Sequence, residues 1–68
     1  MEYKVILSEN GVIKERIPVN DAELLFRTLS KGDGIFLGSV GHRLTVIEKH
    51  YSFGWADSGE YAELYVEK

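Results

Sequence analysis

The chain has 68 residues, no cysteine and a formal net charge of -3. We expect one small domain of marginal stability, because a chain of this length buries only about 60% of the surface that it exposes when unfolded. The missing cysteines exclude disulfides, thiolate catalysis and the common structural zinc sites, which leaves self-association as the usual way to stabilise so small a domain.

The negative charge is concentrated at the C-terminal end. Residues 1–56 contain seven Lys or Arg and seven Asp or Glu, whereas residues 57–68 contain four acids and one lysine. This distribution disfavours duplex nucleic acid as the partner, because such binding depends on a clustered basic surface. No apolar run reaches the roughly 20 residues that span a bilayer, and the first residues lack a signal-peptide pattern. We therefore expect a cytoplasmic protein that does not bind a membrane.

Two strands joined by a tight turn are predicted at the start of the chain. Apolar and polar residues alternate at residues 3–8 and again at residues 13–19, which is the period of a half-buried strand. Asn10 and Gly11 lie between the two runs and tolerate the positive φ of a type I′ turn. Pro18 is expected to end the pairing of the second strand.

One amphipathic helix is predicted next. Asn20 is expected to cap its N-terminus, with Glu23 reaching back as in a capping box, and Gly32 is expected to end it in the left-handed conformation. The apolar positions with helical spacing are Ala22, Leu25, Phe26 and Leu29. We expect this stripe to be the core, with Leu25, Phe26 and Leu29 nearly fully buried against Val5, Ile17, Leu37, Leu44 and Leu64.

Three further strands are predicted after the helix. Their inward positions are Ile35 and Leu37, then Leu44 and Val46, then Ala62, Leu64 and Val66. The apolar positions change from even to odd numbers at Ile47, which predicts a β-bulge near Ile47 and Glu48.

The predicted order ββαβββ indicates a single α+β domain over residues 1–68, in which one helix packs on a curled antiparallel sheet. An open sheet and a small closed barrel both agree with this order. The run Gly32-Asp33-Gly34-Ile35-Phe36-Leu37, followed by a Leu-x-Val strand, resembles the entry hairpin of small SH3-like barrels. That resemblance implies a barrel fold and carries no function with it.

Few residues are placed for chemistry. His42 with Asp33 and Ser39 lies on a predicted hairpin that faces solvent, which is a poor setting for a water-excluding site. His50 and Glu48 share a strand face, but no third metal ligand is near in the sequence. The glycines at residues 32–41 follow the helix, whereas a phosphate loop leads into one. We therefore predict no enzyme, no cofactor and no metal.

The most distinctive feature is a group of aromatic residues around the last turn. Tyr51, Phe53 and Trp55 have the spacing of a ladder on one strand face, and Tyr61 and Tyr65 stand across from it if the last strand pairs back. The ladder is open to three interpretations. It is an internal core cluster, a protein contact surface with Tyr and Trp anchors, or a stacking platform for single-stranded nucleic acid.

The charges around the aromatic residues bear on the last interpretation. Lys4, Arg43 and Lys49 are its candidate cations, whereas Glu60, Glu63 and Glu67 lie beside Tyr61 and Tyr65 and repel phosphates.

We therefore predict a protein-protein interaction module that forms a homodimer and acts as an accessory or inhibitor of a larger protein. The expected contact residues are Tyr51, Phe53, Trp55, Tyr61 and Tyr65. Two routes to the dimer are open: pairing of a sheet edge at residues 61–66 or 3–7, and face packing through Tyr51, Phe53 and Trp55.

Overall fold

A computed structural model of the chain describes residues 2–52 and 60–68. The elements in chain order are β1 (Glu2–Glu9), β2 (Val12–Ile17), α1 (Ala22–Thr28), β3 (Gly34–Leu37), β4 (His42–Ser52) and β5 (Tyr61–Glu67). The five described strands form one sheet in the order β2-β1-β5-β4-β3. One helix and a predominantly strand architecture agree with the predicted α+β class.

The sheet is mixed and open. The pairs β1-β2, β3-β4 and β4-β5 are antiparallel, but β5 lies between β4 and β1 and runs parallel to β1. The prediction of an antiparallel sheet is therefore wrong for the central pair, and β2 and β3 are separate edges of an open sheet, unlike the strands of a closed SH3-like barrel. A parallel pair needs a long crossover, and the chain between β1 and β5 is long enough to supply it.

The two faces of the sheet differ in what covers them. We call the side on which α1 packs the helix face; its buried core comprises Val5, Leu7, Ile17, Leu44, Val46, Ala62, Leu64 and Val66, together with Phe26 of α1. We call the other side the open face; strand alternation places Lys4, Ile6, Ser8, Tyr61, Glu63, Tyr65 and Glu67 there. Within residues 2–52 and 60–68, no helix or strand packs over the open face.

The helix begins one residue later than predicted and ends earlier. The N-cap is Asp21, whose carboxylate accepts a hydrogen bond from the Leu24 N–H at 3.3 Å. Glu23 is 3.5 Å from Arg27, an i,i+4 ion pair that replaces the predicted capping box. Leu29 caps the C-terminus in an extended conformation. Gly32 has φ of 94°, but it lies beyond the helix and its N–H donates to the Val46 carbonyl.

The burial of the helix stripe is less complete than predicted. Phe26 is 2% exposed, whereas Leu25 and Leu29 are partly buried at the margin of the core. Of the predicted strand partners, Val5, Ile17, Leu44 and Leu64 are buried and Leu37 is partly buried. A helix of seven residues is about two turns long, so it brings only one side chain to the centre of the sheet.

Local turn and bulge signals are largely confirmed. Asn10 and Gly11 have φ of 53° and 79°, as a type I′ turn requires, and Glu9 pairs with Val12. The β4-β5 register shifts between Val46 and Glu48, where the bulge was predicted. A second shift places Ile13 opposite Ser8 and Glu15 opposite Leu7, so Ile13 lies on the open face and is 62% exposed. The sequence alternation had placed Ile13 on the same face as Ile17.

Candidate protein-binding surface

The centre of the open face is a row of three β5 side chains, Tyr61, Glu63 and Tyr65. All three are half-buried. The Tyr65 hydroxyl donates to Glu63 Oε1 at 2.9 Å. Lys4 of the neighbouring strand places its Nζ 4.8 Å from the centroid of the Tyr61 ring, a cation-π contact. Tyr61, Glu63 and Tyr65 therefore form a ridge of two aromatic rings with a carboxylate between them, which we call the tyrosine ridge.

The β4 side of this ridge is built by His50. Its ring lies edge-on to Tyr65 with 5.0 Å between centroids, and its Nε2 is 3.0 Å from Glu48 Oε1. Burial raises the pKa of Tyr65 to about 12, and the hydrogen bond and negative charge of Glu63 act in the same direction. Tyr65 thus keeps its proton, and its hydrogen bond to Glu63, to a higher pH than an ordinary tyrosine does.

A small depression of mixed polarity adjoins the ridge and extends from the β1-β2 turn to β4. Ile6 is 7% exposed and Ser8 is 3% exposed, although both lie on the open face. A cavity of about 230 Å³ opens here, and its lining residues are Ser8, Gly11, Ile13, Ile47, Glu48, His50 and Tyr65. The open face therefore combines aromatic, apolar and charged groups, as the contact surfaces of proteins do.

The structure separates the predicted contact residues. Tyr61 and Tyr65 share the open face, but Tyr51 pairs with Ala62 and lies on the helix face, where its ring centroid is 4.9 Å from that of Phe26. The prediction that Tyr51 stands on one face with Tyr61 and Tyr65 is therefore wrong, because the register aligns Tyr61 with Ser52. The other two members of the predicted ladder, Phe53 and Trp55, lie outside the described residues.

The edges of the sheet also differ from the prediction. The strands at residues 3–7 and 61–66 were expected to offer an edge, but β1 and β5 are interior and each has two neighbours. The edges are β2 and β3, and each exposes large apolar side chains: Val12 and Ile13 on β2, and Phe36 on β3. Phe36 was not predicted as a surface residue, although its alternation with Ile35 and Leu37 indicates that it lies on the opposite face from them.

The sequence offered two groups for chemistry, His42 with Asp33 and Ser39, and His50 with Glu48; in the structure His50 and Glu48 lie 3.0 Å apart. The Asp33 carboxylate accepts a hydrogen bond from the Ser30 N–H at 2.8 Å, which closes the turn after the helix. His42 is exposed at the start of β4, opposite Leu37. Among the described residues, no group of three His, Cys, Asp or Glu side chains is arranged to hold a metal ion.

Comparisons with protein-family models, with curated proteins and with solved structures find no match to this chain. In the described part of the chain, the one helix is too short and too polar to cross a bilayer.

Proposed function

We propose that this protein is a cytoplasmic, non-enzymatic protein-protein interaction module that self-associates and uses the open face to bind a larger protein. The observation that carries the proposal is the row Tyr61, Glu63 and Tyr65, which stands half-exposed on a face that no described element covers. Tyrosine is enriched at binding hot spots because it combines a large apolar ring with a polar tip.

The charges of the same row favour protein over nucleic acid. Glu63 lies between the two tyrosines and Glu67 follows them on β5, so a phosphate backbone laid along the ridge meets two carboxylates. In the part of the chain that the structure describes, Lys4 is the one residue that places a cation on a ring of this row, and Glu2 and Glu63 lie next to it. A protein partner with Lys or Arg side chains satisfies this pattern, since a charged rim contributes to the rate and specificity of association.

The proposal is tested by NMR on the isotopically labelled protein, diluted from about 1 mM to about 10 μM, a range that brackets weak dimers. We expect concentration-dependent backbone shifts at residues of the sheet. Glu23 and Arg27, on the solvent side of α1, should not shift and serve as internal controls. Spectra that are unchanged over the whole range would contradict self-association.

A second measurement tests single-stranded nucleic acid, the alternative partner. Fluorescence anisotropy with a labelled single-stranded oligonucleotide should show no submicromolar binding at physiological salt. Tight binding that weakens steeply as salt is added would replace the protein-binding proposal with the nucleic-acid one, because such a slope reports phosphate neutralisation.

A further inference from the structure

We propose that β3 is a docking edge for β3 of a second copy, paired antiparallel about a two-fold axis at Phe36. The two sheets would then form one continuous sheet. This inference rests on the proposed self-association and specifies its geometry.

The two edges of the sheet are protected to different degrees. The sequence of β2 contains three consecutive charged residues, Lys14, Glu15 and Arg16, and Pro18 follows directly after the strand. Charges and proline are the usual means of preventing an edge strand from pairing with another chain. The sequence of β3 is Gly-Ile-Phe-Leu, with no charge and no proline. The edge at β3 is thus the one open to a second strand.

The backbone N–H and C=O groups of alternate β3 residues point away from β4 and are free to pair with a second strand. The Val46 N–H donates to the Asp33 carbonyl at 2.9 Å, which sets the phase of the β3-β4 ladder. Because alternate residues of an antiparallel strand bond to the same neighbour, Ile35 and Leu37 bond toward β4, and Gly34 and Phe36 direct their N–H and C=O groups outward. A two-fold axis at Phe36 therefore lets the two Phe36 residues exchange a pair of hydrogen bonds.

The side chains are self-complementary in the same register. Ile35 meets Leu37 of the second copy on the helix face, where both already pack against the core, so the apolar layer continues across the interface. The Phe36 rings meet on the open face and no charged residue of β3 opposes another. Beside Phe36 a groove of about 290 Å³, lined by Gly34, Ile35, Phe36 and Arg43, provides space for the second ring.

This geometry has a consequence for the larger partner. A two-fold axis perpendicular to the sheet places both helices on one side and both open faces on the other. The two tyrosine ridges then face the same direction and present two equivalent sites to one partner, which raises avidity. Because β3 has only four residues, the pairing buries little area and we expect a dissociation constant of about 10–100 μM.

A matched pair of variants tests the inference. Phe36 and Ile13 are both 62% exposed and both lie on the open face, but on opposite edges of the sheet. By sedimentation velocity, Phe36→Lys should weaken the dimer by about thirtyfold, the effect of losing an anchor residue, and Ile13→Lys by less than about twofold. Circular dichroism melts should show that both variants are folded, as expected for exposed positions.

Hydrogen exchange on the unmodified protein gives a second readout. The Phe36 amide should exchange more slowly as the concentration rises, because dimerisation pairs its N–H. A dimer that is unaffected by Phe36→Lys, or equally weakened by Ile13→Lys, overturns the β3 edge but leaves self-association standing. A protein that is monomeric at every concentration overturns both proposals.

Discussion

Phe26 is the largest of the fully buried side chains among the described residues. It is the one buried residue of α1, and its ring makes T-shaped contacts with Tyr3 and Tyr51, with centroids 5.7 Å and 4.9 Å away. Lys49 places its Nζ 4.8 Å from the centroid of the same ring. A single side chain thus joins the helix to β1 and β4.

The first prediction concerns this side chain. Phe26→Ala should lower the free energy of unfolding by about 3–5 kcal/mol, which is most of the stability of a small domain. Urea denaturation followed by circular dichroism measures the change. Phe36→Ala is the matched control, because Phe36 is 62% exposed and should cost less than about 1 kcal/mol. Equal losses in the two variants would show that the core is assigned wrongly.

The second prediction follows from Tyr65. Its pKa in the folded protein is raised to about 12, mainly by burial and then by the hydrogen bond to Glu63, whereas an unfolded tyrosine ionises near 10. Its contribution to stability is therefore complete below about pH 10 and is lost as the pH rises toward about 12. The stability of the unmodified protein should fall more steeply over this interval than that of Tyr65→Phe.

Glu63→Gln provides the control for the cause of the shift. It removes the negative charge beside Tyr65 but keeps an acceptor oxygen, so absorbance titration should show Tyr65 ionising at a lower pH in this variant. An unchanged titration would rule out Glu63 as a contributor.

At the scale of elements, two adjacent residues compete to cap the start of α1. Asn20 and Asp21 are both good N-cap residues, and the sequence favoured Asn20 because Glu23 stands three residues later. In the structure Asp21 accepts the Leu24 N–H, and Glu23 turns toward Arg27. The i,i+4 ion pair competes with the capping box for the same carboxylate.

The third prediction distinguishes these caps. Asp21→Ala should destabilise the protein by about 1 kcal/mol, because it leaves a helix N–H without its acceptor. Asn20→Ala should change the stability by less than about 0.5 kcal/mol. Thermal unfolding of both variants under identical conditions measures the difference. A larger loss of stability for Asn20→Ala than for Asp21→Ala would show that Asn20 caps the helix as the sequence predicted.

Local signals predicted local structure well. The turn at Asn10 and Gly11 and the bulge near Ile47 depend on the φ preferences of two residues and on a change of parity, both of which are visible in the sequence. The place of β5 between β1 and β4 leaves no such signal, because pairing between distant strands depends on the whole packing. The position of β5 determines which strands are edges. Because β5 and β1 are interior strands, the predicted edges at residues 3–7 and 61–66 were wrong.

The candidate site was predictable to a similar extent. The alternation along β5 correctly predicted that Tyr61 and Tyr65 lie on the opposite face of the sheet from Ala62 and Leu64. Whether Tyr51 joins them depends on the β4-β5 register, which pairs Tyr51 with Ala62. A shift of one residue would exchange the faces. The parity change at Ile47 was the available signal, because a bulge there puts Tyr51 on the same face as Val46.

At the scale of the whole molecule, the sheet has one covered face, one open face and one edge without charges or proline. A helix of seven residues is a thin second layer for five strands, and the chain has no cysteine to add a covalent link. Association with a second copy adds buried apolar area that a chain of this length does not provide alone. Self-association is therefore the central claim, and the β3 edge is its structural support.

Sedimentation equilibrium of the unmodified protein from about 1 μM to about 1 mM tests this claim most directly, because the range covers the affinity expected for a short edge. The apparent mass should rise with concentration from the 7.7 kDa of one chain toward twice that value. A mass of 7.7 kDa at every concentration would contradict the account.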